Sequence, residues 1–194
     1  MAINLQKSQG ISLDKGLKDV VFTVSWDSNV DVDIHAMVLT DGRGVCDEDF
    51  VFYGNLNHPS GAINHSGDIR DGSHAVGVDD EYITISLDQV PSTKTEIVLS
   101  ASIHNANLHG LHFGKVAGAV AKIIDKATNE VLATFNLDRD LLGEHTAELA
   151  RLVKTNGTWK FENVSKPAMS LESLLVSKGF EWNRTHKSHS VLFR

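Results

Sequence analysis

The sequence has a single cysteine, Cys46, so no intrachain disulfide can form and a cysteine-based zinc site within one chain is not expected. No stretch approaches the roughly 18 consecutive apolar residues that a membrane helix requires, and membrane insertion is not expected. Residues 1–7 lack the basic stretch and continuous apolar run of a signal peptide. A cytoplasmic location is therefore expected, although a virion assembled in the cytoplasm would look the same. Basic residues are scarce where acidic ones are dense. Between Asp27 and Asp88, thirteen of the 25 acidic residues accompany only Arg43 and Arg70. Such a face repels phosphates, which argues against nucleic-acid binding through it. Catalytic signatures are missing too. There is no GxSxG turn and no phosphate-binding glycine loop. Cys46 is followed by Asp47, Glu48 and Asp49, whose charge disfavours the thiolate and makes it a poor nucleophile. An enzyme is not expected.

What is present is a run of short apolar segments within 194 residues, enough for one domain with a real core. Residues 20–26 form a β-branched and aromatic run that ends in the turn-prone Asp27-Ser28-Asn29. In residues 31–39 a strand's period of two puts Val32, Ile34 and Val38 on one face and Asp31, Asp33 and His35 on the other. Further strands are expected over 50–53, 82–87, 97–103, 116–125, 131–137 and 159–164, with a hairpin turn at Asn129-Glu130. Residues 146–154 place Leu149, Leu152 and Val153 at helical spacing before Asn156-Gly157, which predicts a helix with a glycine stop. Residues 170–179 predict a short amphipathic helix between Ser170 as N-cap and Gly179 as C-cap. Many strands and few helices, mostly C-terminal, predict an all-β-dominated sandwich of two antiparallel sheets. Trp26, Trp159, Phe50 and Phe52 are expected in its packing. The domain is expected to span 1–180, followed by a polar tail over 181–194.

Three acidic elements are candidates to converge: Asp31 with Asp33, Asp68 after Gly67, and Asp79-Asp80-Glu81. Calcium takes about six to eight oxygen ligands in a tolerant geometry. Gly67, Gly72 and Gly77 would let the intervening loop bend its carbonyls inward. The alternative is three separate solvated acidic turns, and the spacing is not that of an EF-hand. His104, His109 and His112 have neither HExxH nor a usual zinc spacing and read as a polar loop.

The chain resembles the tellurium-resistance TerD family from about Ile3 to Phe180. The resemblance is carried by residues 3–13, by Trp26-Asp27, and by Asp31-Val32-Asp33-Ile34-His35-Ala36. It continues through residues 49–56, Gly67-Asp68, Asp79-Asp80-Glu81, residues 102–106 and residues 113–116. It implies a sandwich of two antiparallel sheets, two bound calcium ions and an association with tellurite and general stress resistance. The implied metal ligands are Asp31, Asp33, Asp68, Asp79, Asp80 and Glu81, with Asp27 next. Ile69 stands where the family has asparagine, Asn105 where acids are frequent, and the loop is about two residues longer and less acidic. These departures argue for one calcium site, with the second weakened. The expected role is a calcium-responsive scaffold or signalling module whose protein partners are related family members. The alternative is a structural or decoration subunit of a larger assembly, such as a phage particle, whose partners are its neighbours there.

Overall fold

The computed structural model describes residues 10–12, 18–72 and 80–181. Its strands are β1 (Gly10–Ser12), β2 (Asp19–Ser25), β3 (Val32–Leu39), β4 (Phe50–Val51), β5 (Ile63–His65), β6 (Glu81–Ser86), β7 (Glu96–Ile103), β8 (Val120–Asp125), β9 (Glu130–Asn136), β10 (Thr146–Thr155) and β11 (Thr158–Pro167). Three short helices accompany them: α1 (Ala106–His109), α2 (Leu137–Asp140) and α3 (Leu171–Ser177). Val20, Phe22 and Val24 alternate with Val21, Thr23 and Ser25, so β2 turns one apolar face inward. The same period governs Ile83 and Ile85 in β6 and Ala121 and Ile123 in β8. Two sheets result, ordered β1-β11-β10-β7-β3-β4 and β5-β6-β2-β8-β9, with every strand pair antiparallel. The expected β-sandwich is therefore present. Its inner faces meet in one core, where Trp26 and Trp159 are also buried. Each large side chain enclosed there stabilises the fold by roughly 1.5–3 kcal/mol.

One expected helix is a strand. Residues 146–154 lie in β10, paired with both β7 and β11. The register shifts between Glu148 and Ala150, so Leu149 is the extra residue of a β-bulge. Ala147, Leu149, Ala150 and Leu152 all reach the core, a spacing that imitates a helical face. The bulge also puts Glu148 and Arg151, three residues apart, on the opposite face, where they form an ion pair. Asn156-Gly157 is not a helix stop but the two-residue turn of the β10–β11 hairpin. Both residues have positive φ, 51° and 78°, as a twist-matched hairpin turn requires.

The outer face of the six-stranded sheet is covered. Met37 and Leu39 of β3 pack with Val98, Phe50 and Phe52 beneath Leu174, Leu175 and Phe180 of the α3 segment. β3 is accordingly buried on both faces. Helix α3 begins as expected at Ser170, whose hydroxyl accepts the Ser173 N–H while the Ser173 hydroxyl accepts the Ser170 N–H. Its end is marked by Gly179 at φ +84°. Lys178 Nζ reaches Glu148 Oε2 at 2.9 Å and ties the helix end to β10.

Pairing also decides what gathers at one end of the sandwich. Val24 near the end of β2 lies opposite Glu81 at the start of β6, and Val32 at the start of β3 lies opposite Ile103 at the end of β7. The segments around residues 26–31, 66–72, 80–81 and 104 therefore share that end.

Candidate metal centre

Asp33 is the second residue of β3 and projects from the face opposite Ile34, while Asp31 immediately precedes the strand. Asp68 enters from the loop after β5. One carboxylate oxygen from each of Asp31, Asp33 and Asp68 lies within 4.8 Å of the other two. Asp33 is 3% exposed, and its Oδ1, like the Oδ1 of Asp31, is buried without a hydrogen-bond partner. Burial, reinforced by Asp33, pushes the Asp31 carboxyl up to about 6. Burial also raises Asp33, against the opposing pull of His104. Like charges this close repel, and a hard cation would satisfy both the charge and the unpartnered oxygens. An all-oxygen donor set of this kind fits calcium or magnesium rather than a soft transition metal.

Glu81 lies just beneath. It shares the inward face of β6 with Ile83 and Ile85 and is fully buried. Its Oε2 accepts the Ile34 N–H at 3.3 Å and its Oε1 the Ile69 N–H at 3.0 Å. The Ile34 carbonyl accepts from His65 Nε2 at 3.2 Å. A longer β4 would have engaged these Ile34 groups; Glu81 and His65 take its place. Gly67 N–H donates to His65 Nδ1 at 3.0 Å, so the ring proton sits on Nε2, and burial keeps the imidazole neutral. Burial, with smaller contributions from Asp33 and Asp68, pushes Glu81 up to about 9. Glu81 thus sits electrostatically against the cluster while its oxygens are committed to the backbone.

The remaining expected ligands fare differently. Asp80 Oδ2 accepts the Trp26 N–H at 2.9 Å, and the Asp80 N–H donates to the Val24 carbonyl. That carboxylate anchors the end of β2. Asp27 is exposed, with its N–H on the Ala117 carbonyl, and is not part of the three-acid group. Asp79 and Gly77 lie outside the described residues. Gly67 does supply a left-handed bend, φ +112°. Gly72 serves close packing instead: a Cβ there would meet Trp26 Nε1 at 2.6 Å.

Three neighbours were not singled out from the sequence as part of the site. His104 donates its N–H to the Asp31 carbonyl, and its Nδ1 lies 3.7 Å from Asp33 Oδ2. The β3–β7 register is the signal that would have found it, since position 104 follows Ile103, the partner of Val32. Tyr53 stands edge-on to His104 with ring centroids 6.3 Å apart. Burial first, then Asp33, Asp68 and Asp31, drive its hydroxyl well above the usual phenol range. Arg70 Nε donates to Asp68 Oδ2 at 2.8 Å. His109 and His112 join no group of three or more metal-ligating side chains among the described residues.

Comparison with known proteins agrees with this architecture. The model of the TerD domain matches residues 1–175. The chain is 32% identical over 176 residues to the tellurium resistance protein TerD of Serratia marcescens, covering 86% of this chain and 91% of that protein. It is 35% identical over 175 residues to general stress protein 16U of Bacillus subtilis (strain 168), covering 84% and 90%. A crystal structure of a homologue of telluride resistance protein from Streptomyces coelicolor A3(2) superposes with a TM-score of 0.69 at 24% identity, over 84% of this chain and 96% of that one. That likeness bears on the fold. A match over residues 1–175 places this protein in the TerD family.

Proposed function

We propose that this chain is a non-enzymatic, calcium-binding stress protein of the TerD type that acts in the cytoplasm as a calcium-responsive scaffold or signalling module. The observation carrying the reading is the convergence of Asp31, Asp33 and Asp68 with two buried carboxylate oxygens left unpartnered. Asp31, Asp33 and Asp68 would hold the ion. Calcium would neutralise their mutual repulsion and tie the start of β3 to the loop after β5. The commitment of Asp80 to Trp26 supports one site in this region rather than two. Relatives named for tellurium resistance and general stress support the same physiological setting. Direct thiol chemistry on tellurite is disfavoured, because desolvation, then Asp49 and Glu48, raise the pKa of the exposed Cys46. Output through protein partners is the corresponding proposal for downstream action.

Calorimetric titration of EDTA-treated protein tests this, with magnesium as comparator and Asp88→Asn as a control away from the cluster. Calcium is expected to give saturable heat and a higher Tm in both the wild type and the control. Absence of heat together with an unchanged Tm at millimolar calcium would overturn the reading.

A further inference from the structure

We propose that Arg70 is the resident counter-cation of the Asp31–Asp33–Asp68 cluster, and that a divalent cation must exchange with its guanidinium to bind. The proposal rests on the calcium reading above and adds an internal competitor to the same site. Arg70 and Asp68 are two residues apart in one loop, joined by the 2.8 Å contact from Nε to Oδ2. The Asp68 side chain is 26% exposed and that of Arg70 is 78% exposed. The guanidinium can therefore swing into solvent without disturbing any packed element. Its charge acts beyond Asp68, lowering the carboxyl pKa of both Asp31 and Asp33 against their burial. In reach it is a cation serving all three acids, although only Asp68 bonds it.

The interior of the cluster supplies the reason that this arrangement is provisional. Asp33 is almost wholly buried, its Oδ1 has no hydrogen-bond partner, and one of its carboxylate oxygens lies within 4.8 Å of oxygens of Asp31 and Asp68. An exposed arginine bonded to the outermost acid leaves the buried Asp33 carboxylate without a bonded cation, whereas an ion seated between the three carboxylates would engage it. Both cations need Asp68, and two positive charges so close would repel. Exchange follows: occupation of the cluster by a divalent ion should release Arg70, and the exposed pair sets a modest affinity penalty that salt can screen.

The test is calcium titration of wild-type protein, Arg70→Gln and Arg70→Lys at low ionic strength. The release of the guanidinium is followed in parallel through hydrogen exchange of the Arg70 Nε–H. Arg70→Gln is expected to bind calcium about two- to fivefold more tightly, the range of an exposed ion pair. Added salt should narrow that gap, and Arg70→Lys should stay near wild type. Without calcium, Arg70→Gln should melt lower than wild type. Calcium should accelerate Nε–H exchange in the wild type. Heat in all three proteins with equal affinity, or weaker binding by Arg70→Gln, would overturn the exchange while leaving calcium binding intact. Silence in all three would overturn the calcium reading and the exchange together, and binding only by Arg70→Gln would support exchange in its strongest form.

Discussion

Asp49, in the turn just before β4, and Asp33, within β3, are both buried acids, and the protein treats them oppositely. Asp49 accepts from Lys94 Nζ at 2.6 Å, from His58 Nε2 at 3.2 Å and from the Val45 N–H at 3.1 Å. Burial alone would raise its carboxyl, but these partners outweigh burial and hold it below the usual range. Glu148 follows the same rule, lowered by Arg151 and Lys178 against its burial. Asp33 has other carboxylates nearby, His104 at 3.7 Å and an unpartnered oxygen, and its carboxyl rises. Where the acid is structural, the chain brings its own cation: Lys94 from the segment before β7 for Asp49, and Arg151 of the same strand with Lys178 at the end of α3 for Glu148. At the end of the sandwich that cation is only an exposed arginine, Arg70, bonded to Asp68. The contrast separates acids whose charge the chain itself compensates from acids whose charge it leaves largely uncompensated.

The largest effect expected to sharpen this contrast is on the structural side. Lys94→Met leaves Asp49 buried without its main partner and is expected to cost about 3–5 kcal/mol in urea unfolding. A loss below about 1 kcal/mol would mean that Asp49 does not depend on Lys94, and the contrast would collapse. Asp33→Asn should act with the opposite sign. Without calcium it removes like-charge repulsion and should raise the Tm. It should also abolish the calcium-dependent gain, which for a single site is about 2.7 kcal/mol at a hundredfold excess over Kd. A variant that melts lower without calcium yet keeps that gain would show that Asp33 is structural after all.

A further comparison is the pH dependence. Asp31 and Glu81 have folded pKa values raised to about 6 and about 9, from 3.8 and 4.5. The folded state therefore binds protons more tightly than the unfolded chain, and the associated stability is complete only below the unfolded values. Calcium-free protein should lose stability gradually as pH rises from about 4 to about 9, and saturating calcium should flatten that slope. Asp49 and Glu148, being lowered, contribute stability above their unfolded values and lose it only in acid. A calcium-free stability that rises steadily from pH 5 to pH 9 would contradict the assignment of raised acids to this end.

Much of the fold was legible because strands announce themselves by alternation. β3, β6 and β11 fall where an apolar period of two placed them, β2 and β7 where β-branched and apolar runs did, and β9 after the expected Asn129-Glu130 turn. The N-cap at Ser170 was readable from residue type alone, and so was the helix stop at Gly179, although the C-cap itself is Lys178, one residue earlier. β10 was not, because a single bulged residue, Leu149, shifts the alternation into helical spacing. A bulge is defined by the partner strand it faces, so no local pattern reveals it. Asn156-Gly157 is compatible with a helix end or a hairpin, and only the pairing of β10 with β11 decides between them.

The candidate site divides in the same way. Chain chemistry by itself determined that Asp31 and Asp33 share one side of an alternating segment, and that basic residues are scarce nearby. Those are consequences of residue identity and the period of a strand. Tertiary structure alone decided that Asp68 joins them, that Asp80 is spent on Trp26 and Asp27 stays in solvent, and that His104, Tyr53 and Arg70 complete the surroundings. Convergence depends on strand register and on which backbone groups remain unpaired where β4 stops short. Those quantities belong to pairs of segments far apart in sequence, and no single segment contains them.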